Sequence, residues 1–178
     1  WGLFPSVALG WKIKEEGFMK DVDAVSDLKL RLGYGITGQQ DISQGDYPYM
    51  ATYFAGQDGA YYQFGDQFVP IARPDGYNPN LKWETTLTRN IGLDFGFWNG
   101  RLSGSLDAYW NTTKDLLMQT TLPKGAGYEF QYQNFGQTSN KGIELALDAI
   151  LVDQKDFGLN FNFNISYNQA KIDKLPTN

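Results

Sequence analysis

Two aspartates, Asp94 and Asp107, have the residue type and the spacing needed for acid and base chemistry. They lie at polar positions of two alternating segments on either side of Asn99-Gly100, so a hairpin at this dipeptide brings the carboxyl groups close together. Paired carboxylates act as general acid and general base in glycosidases. Acids are also expected on a polar sheet face that lines water, and we favour this second interpretation.

The rest of the composition offers little to an enzyme. The sequence contains no histidine and no cysteine, which removes the Ser-His and Cys-His nucleophile systems and most zinc sites. Glu144 and Asp148 form another acidic pair, which we interpret in the same way as the first. The net charge of −5 argues against nucleic acid, whose phosphates require a basic surface. We therefore expect no enzyme activity, no cofactor, no metal site and no nucleic-acid partner.

A segment rich in aromatic residues, between Thr37 and Glu84, is the other candidate for a functional site. Aromatic rings stack on sugar rings and on peptide side chains, and a tyrosine hydroxyl adds a hydrogen bond. The segment could therefore capture a ligand or dock a partner protein, while a loop that packs on itself is the alternative, and the sequence leaves both open. The candidate contact residues are Tyr47, Tyr49, Tyr53, Tyr61, Tyr62 and Phe64.

The elements that position these residues are predicted from strict alternation of apolar and polar side chains. Residues 159–168, LNFNFNISYN, place Leu159 and every second residue after it on one face, and asparagines and a serine on the other. Because successive side chains of a strand point to opposite faces, each run of this kind predicts a strand with one apolar and one polar face. About six such strands are predicted, over residues 6–13, 28–36, 90–97, 102–109, 142–149 and 159–168.

The hairpin at Asn99-Gly100 provides an internal check on this prediction. Both positions of a two-residue type I′ turn require positive φ, and Asn-Gly is the dipeptide best suited to it. Pairing outward from the turn aligns Phe97 with Leu102 on the apolar face, and Gly92 with Asp107 on the polar face. This single register divides the side chains of both strands into one apolar and one polar face, whereas a slip by one residue would move the apolar side chains of one strand to the polar face.

The connections are expected to alternate between long and short. The long ones are residues 37–84 and 113–141, and the short ones are the Asn-Gly turn and residues 153–156. Outer-membrane barrels have long extracellular loops and short periplasmic turns. The predicted fold class is therefore all-β: an antiparallel transmembrane β-barrel segment of about six strands, part of a larger barrel. A soluble β-sandwich, in which the apolar faces meet in a core, is the alternative.

Several runs resemble the barrel of the SusC/RagA-like TonB-dependent outer-membrane transporters of Bacteroidetes. They are Gly2 to Lys20, Ser26 to Gln40, NPNLKWETTLTRNIGLDFGFWNGRLSGSLDAYWNTTKDLL at residues 78–117, and NKGIELALDAI at residues 140–150. These runs occur in the order of the family and cover most of the chain, so the resemblance is specific.

The resemblance implies an outer-membrane location with lipid on the apolar face, TonB-dependent import of glycans or peptides, and a SusD-like surface lipoprotein as partner. It also implies an N-terminal plug inside the barrel. We expect residues 1–178 to be one partial barrel domain, without the plug, the TonB-contacting segment or the barrel ends. Lys29 and Arg31 could meet an anionic substrate or acids of the plug, although we favour simple solvation. A carbohydrate-binding β-sandwich and a passive porin remain as alternative functions.

Overall fold

The computed structural model describes residues 2–39, 49–55, 61–74 and 76–175. Nearly all regular structure in these residues is β-strand, with single turns of 3-10 helix at Ile13–Glu15 and Gly17–Met19. The strands are β1 (Ser6–Lys12), β2 (Val25–Gln39), β3 (Tyr53–Ala55), β4 (Tyr61–Phe64), β5 (Gln67–Pro70), β6 (Ala72–Pro74), β7 (Glu84–Phe97), β8 (Leu102–Thr121), β9 (Phe130–Gln154) and β10 (Phe157–Lys174).

Six of these strands form one sheet in the order β1-β2-β7-β8-β9-β10, which confirms the six predicted strands. Its first pair, β1 and β2, is antiparallel and runs from Ser6 opposite Gly35 to Lys12 opposite Lys29. Strand length is the point on which the sequence-based prediction is wrong. The strands range from 7 to 25 residues, whereas a strand that only crosses the bilayer needs about 9–11.

The turn between β7 and β8 has the predicted conformation. Asn99 and Gly100 have φ values of 56° and 80°, and Arg101 N–H donates to the Trp98 carbonyl oxygen at 3.2 Å, as in a type I′ turn. Trp98 also has a positive φ, 52°, which is uncommon for a bulky residue. Its N–H donates to the Ala24 carbonyl oxygen at 2.9 Å, so a contact outside the hairpin holds this conformation.

Both long connections contain more structure than the sequence indicated. Strand β8 continues to Thr121 and β9 already begins at Phe130, so the predicted long loop at residues 113–141 shrinks to residues 122–129. The connection between β2 and β7 holds two antiparallel ribbons, β3 with β6 and β4 with β5. Each ribbon is only three or four residue pairs long, which is too short for an alternating pattern to stand out.

The chain divides into two compact units, which we call unit 1 and unit 2. Unit 1 comprises Trp1–Gly38, Thr85–Thr113 and Thr138–Asp173. Unit 2 comprises Gln39–Glu84, Lys114–Gln137 and Lys174–Asn178.

No apolar side chain is buried among the described residues, so they contain no sandwich core. Strands β1 and β10, at the two edges of the six-stranded sheet, are exposed along their whole length. A long apolar edge strand is an aggregation hazard unless a neighbour pairs with it or covers it. Within the described part of the chain, no helix is long and apolar enough to span a membrane.

Candidate functional site

The polar face of unit 1 carries an ion cluster built on three strands. Arg31 lies on β2, Asp94 on β7 and Asp107 on β8. The Arg31 Nε donates to both carboxylate oxygens of Asp94, at 3.0 and 2.9 Å. Its Nη2 donates to both oxygens of Asp107, at 2.8 and 3.0 Å. One guanidinium therefore holds two carboxylates by charge-assisted hydrogen bonds, which are stronger than neutral ones.

Gly92 makes this arrangement possible. The Arg31 side chain starts on β2 and must cross β7 to reach Asp107 on β8. A Cβ at Gly92 would lie 2.7 Å from both Cζ and Nη2 of Arg31, closer than real Cβ contacts come. Only a residue without a side chain leaves the guanidinium room to lie across the strand. Sequence analysis missed this role, although a glycine two residues before Asp94 in an alternating strand was a visible signal.

The cluster corrects two interpretations of the sequence. The expectation that Arg31 is merely solvated is wrong, because its side chain is bonded to two acids of the same sheet. Asp94 and Asp107 do come together as predicted, but the guanidinium occupies the oxygens that a general acid or base would direct at a substrate. Lys29, the other predicted cation, lies opposite Lys12 in the β1–β2 pair.

Glu144 and Asp148, the second acidic pair of the sequence, lie on β9 on the same face as the ion cluster. Asp107 and Glu144 line a shallow cavity of about 290 Å³, together with serine and asparagine side chains of β8 and β10. Asp148 accepts a hydrogen bond from the Asn162 carboxamide on the neighbouring strand. Among the described residues, no group of three or more His, Cys, Asp or Glu side chains could hold a metal ion.

Tyr109 contributes an aromatic ring to the same face. A Cβ at Gly142 would lie 2.5 Å from its Oη and 2.6 Å from its Cζ, so the ring lies over this glycine of β9. At one end of the face, the hydroxyls of Thr86 and Thr113 are 2.9 Å apart. Both contacts agree with alternation that places these side chains on the polar side of their strands.

The predicted aromatic residues lie in unit 2. The most exposed of those that the structure describes are Tyr53 at 66% and Phe64 at 65%. Tyr47 falls outside the described residues. Tyr49 precedes β3, Tyr53 opens it, and the remaining three, Tyr61, Tyr62 and Phe64, lie on β4.

The β4–β5 ribbon has aromatic side chains on both of its faces. Tyr62 and Phe64 share one face, with ring centroids 4.7 Å apart, and Val69 lies opposite Tyr62. Tyr61 lies on the other face, where Phe68 is opposite Gln63. All of these side chains are exposed. The structure thus brings Tyr62 and Phe64 into one surface and separates Tyr61 from them.

Residues 1–178 match the family described as TonB dependent receptor-like, beta-barrel.

Individual relatives agree with this family. The chain is 49% identical to the TonB-dependent receptor SusC of Bacteroides thetaiotaomicron over 98% of its own length and 17% of that protein. It is 37% identical to a TonB-dependent receptor of Formosa agariphila, over 98% of the chain and 16% of the relative. The chain therefore spans about a sixth of the length of these relatives.

Solved structures show the same fold. The RagAB peptide importer in its open-open state superposes with a TM-score of 0.84 at 33% identity, over 97% of this chain and 18% of that one. The structure of the RagAB peptide transporter gives a TM-score of 0.78 at 32% identity, over the same shares. The chain therefore belongs to the TonB-dependent receptor-like β-barrel family, and its six-stranded sheet is a portion of the wall of an outer-membrane barrel.

Proposed function

We propose that the parent protein imports glycans or peptides across the outer membrane in a TonB-dependent manner, together with a SusD-like surface lipoprotein. The 49% identity to a TonB-dependent receptor supports TonB as the source of energy for import. The structural likeness to a protein described as a peptide importer supports peptides as one substrate class. In this proposal the segment contributes wall and contact surface, and it carries out no chemical reaction.

The observation that carries the proposal is the aromatic surface of the β4–β5 ribbon. Two-stranded ribbons are at best marginally stable in water. A ribbon with exposed aromatic side chains on both faces should therefore be stabilised by a partner that covers them. We place this ribbon outside the cell, because long connections of outer-membrane barrels are extracellular. Tyr62 and Phe64 present adjacent rings, which suit a sugar ring or an apolar peptide side chain.

The test uses the full-length transporter with Tyr62→Ala and Phe64→Ala, each alone. If a ring is a stacking anchor, its removal should cost about 1–3 kcal/mol of binding, or roughly ten- to a hundredfold in affinity for the substrate or the lipoprotein. Uptake and lipoprotein retention are measured after surface expression and heat-modifiable mobility have been checked.

Tyr167→Ala on β10 is the matched control, since this tyrosine is equally exposed but lies on the apolar face that we assign to lipid. It should leave both affinities unchanged. Normal uptake and normal lipoprotein retention after deletion of residues 47–64 would reject a contact role for the ribbon. Uptake that continues unchanged without TonB would instead identify a passive porin.

A further inference from the structure

We infer that Asn134 is a positioning residue that holds the C-terminal end of the aromatic segment in place. Residues 77–84, which we call the anchor segment, lie in unit 2 and lead from the two ribbons to the first residue of β7. They contain the Asn-Pro-Asn-Leu-Lys-Trp-Glu run at residues 78–84. The inference extends the proposed function, because it concerns how the segment that makes the contacts is held.

Asn134, on β9, bonds both backbone groups of Lys82. Its Oδ1 accepts from the Lys82 N–H at 2.7 Å, and its Nδ2 donates to the Lys82 carbonyl oxygen at 2.7 Å. An adjacent strand would satisfy these two groups in the same way. A single carboxamide therefore replaces a strand partner for the anchor segment, at a point where the chain is not part of a strand.

The same carboxamide reaches a break in β8. Asp115 has a φ of 57°, a left-handed conformation that interrupts the regular strand geometry, and its carbonyl oxygen accepts from the Asn134 Nδ2 at 2.8 Å. Two residues further on, the Leu117 N–H donates to Glu84 Oε1 at 2.9 Å. The anchor segment and β9 thus bond to the irregular part of β8 through side chains.

A second set of contacts holds the beginning of the anchor segment. Gln131 Nε2 donates to the Tyr77 carbonyl oxygen at 2.7 Å, and Asn78 Nδ2 donates to the Tyr132 carbonyl oxygen at 3.1 Å. Asn78 Oδ1 also accepts from the Asn80 N–H at 3.0 Å, which closes a local turn. A Cβ at Gly76 would overlap the backbone of Phe130, so the chain approaches β9 too closely there for any side chain.

These contacts fix the position of the C-terminal end of the aromatic segment. A loop that a ligand must first immobilise loses affinity, whereas a loop held in place loses less. Asn134 has no need to touch the ligand for its removal to weaken binding. The carboxamide is the best point for a test, because it alone makes three of the bonds.

The experiment compares Asn134→Ala, Asn134→Asp and the control Asn140→Ala in the full-length transporter. Asn140 lies on the same strand, and its Oδ1 has no hydrogen-bond partner within the described residues. Two quantities are measured: hydrogen exchange at the Lys82 amide, and the KM and maximal rate of uptake.

Asn134→Ala should speed exchange at Lys82 about tenfold or more and raise KM about tenfold, with an unchanged maximal rate and unchanged heat-modifiable mobility. Asn134→Asp keeps the acceptor for the Lys82 N–H but directs a second carboxylate oxygen at the Lys82 and Asp115 carbonyl oxygens, so its effects should be at least as large as those of Asn134→Ala. Asn140→Ala should match the unsubstituted protein in both measurements.

Unchanged exchange at Lys82 in Asn134→Ala would overturn the inference. So would faster exchange with an unchanged KM, because the anchor would then exist without positioning the contact surface. If Asn134→Ala fails to reach the outer membrane, Asn134→Asp decides by the same two criteria. Failure of the proposed function itself would show separately, as normal uptake after deletion of residues 47–64.

Discussion

Unit 1 and unit 2 satisfy their polar groups in different ways. In unit 1, long strands pair with each other, and the side chains on the polar face bond mainly to other side chains, as Arg31 does with Asp94 and Asp107. In unit 2, side-chain amides bond directly to backbone groups that have no strand partner, as Asn134 does with Lys82. The first arrangement depends on a repeating pattern, whereas the second depends on single residues at single places. The two units should therefore respond differently to substitution.

The largest difference between the units is expected in the free energy of unfolding when an apolar residue of each is replaced by arginine. Leu93→Arg, on the apolar face of β7 in unit 1, should cost about 2–4 kcal/mol of unfolding free energy, because it puts a charge into lipid. Val69→Arg, on the exposed β4–β5 ribbon of unit 2, should stay within about 0.5 kcal/mol, as surface substitutions do. Urea unfolding of the full-length barrel in lipid measures both. Equal costs would contradict our assignment of lipid to the apolar face of β7.

A smaller loss is expected from Gly92→Ala in unit 1. The added methyl group collides with the Asp107 carboxylate and with the Arg31 guanidinium, and it should break the bonds between them at a cost of about 1–2 kcal/mol for a partly exposed charged pair. Gly33→Ala is the control, because its Cβ would meet the Asn90 side chain at an ordinary 3.7 Å. The same unfolding assay measures both.

A double-mutant cycle of Gly92→Ala with Asp107→Ala sharpens this prediction. The combined loss should be smaller than the sum of the single losses, since both substitutions remove one interaction. Strict additivity would show that Gly92 and the ion cluster act independently.

The smallest effect is expected for an exposed ion pair of unit 1. Lys12 and Glu15 are 2.9 Å apart, but their side chains are 62% and 69% exposed. Exposed pairs contribute little because water and salt screen them. Lys12→Gln should produce no measurable change in the unfolding midpoint. A change as large as that of Gly92→Ala would mean that exposure does not separate the two ion pairs.

The sequence predicts structures that depend on a repeating pattern better than it predicts contacts that depend on single residues. Alternation predicted all six strands of the sheet, and the Asn99-Gly100 dipeptide predicted its turn, because both signals are local and regular. The extension of β8 beyond Thr113 was missed, since the left-handed Asp115 interrupts the pattern there.

The contacts that set the candidate sites were not predictable in this way. The reach of Arg31 across Gly92 depends on which strands become neighbours, and β2 and β7 are separated by 44 residues that include both ribbons. The bond between Asn134 and Lys82 joins residues 52 positions apart and has no periodic signal. The aromatic composition of the segment was visible in the sequence, but its division between the two faces of a ribbon required the pairing of β4 with β5.

The gap at Gly92 has a consequence for how the wall assembles. A slip of β7 by two residues preserves the division into apolar and polar faces, so hydrophobic sorting alone does not reject it. Such a slip would put Asn90 or Asp94 beneath the guanidinium of Arg31, where only Gly92 leaves room. The ion cluster can therefore form only when β2, β7 and β8 are in one alignment. A single glycine thus favours the correct register of β7 over a two-residue slip, which the alternating pattern does not distinguish from it.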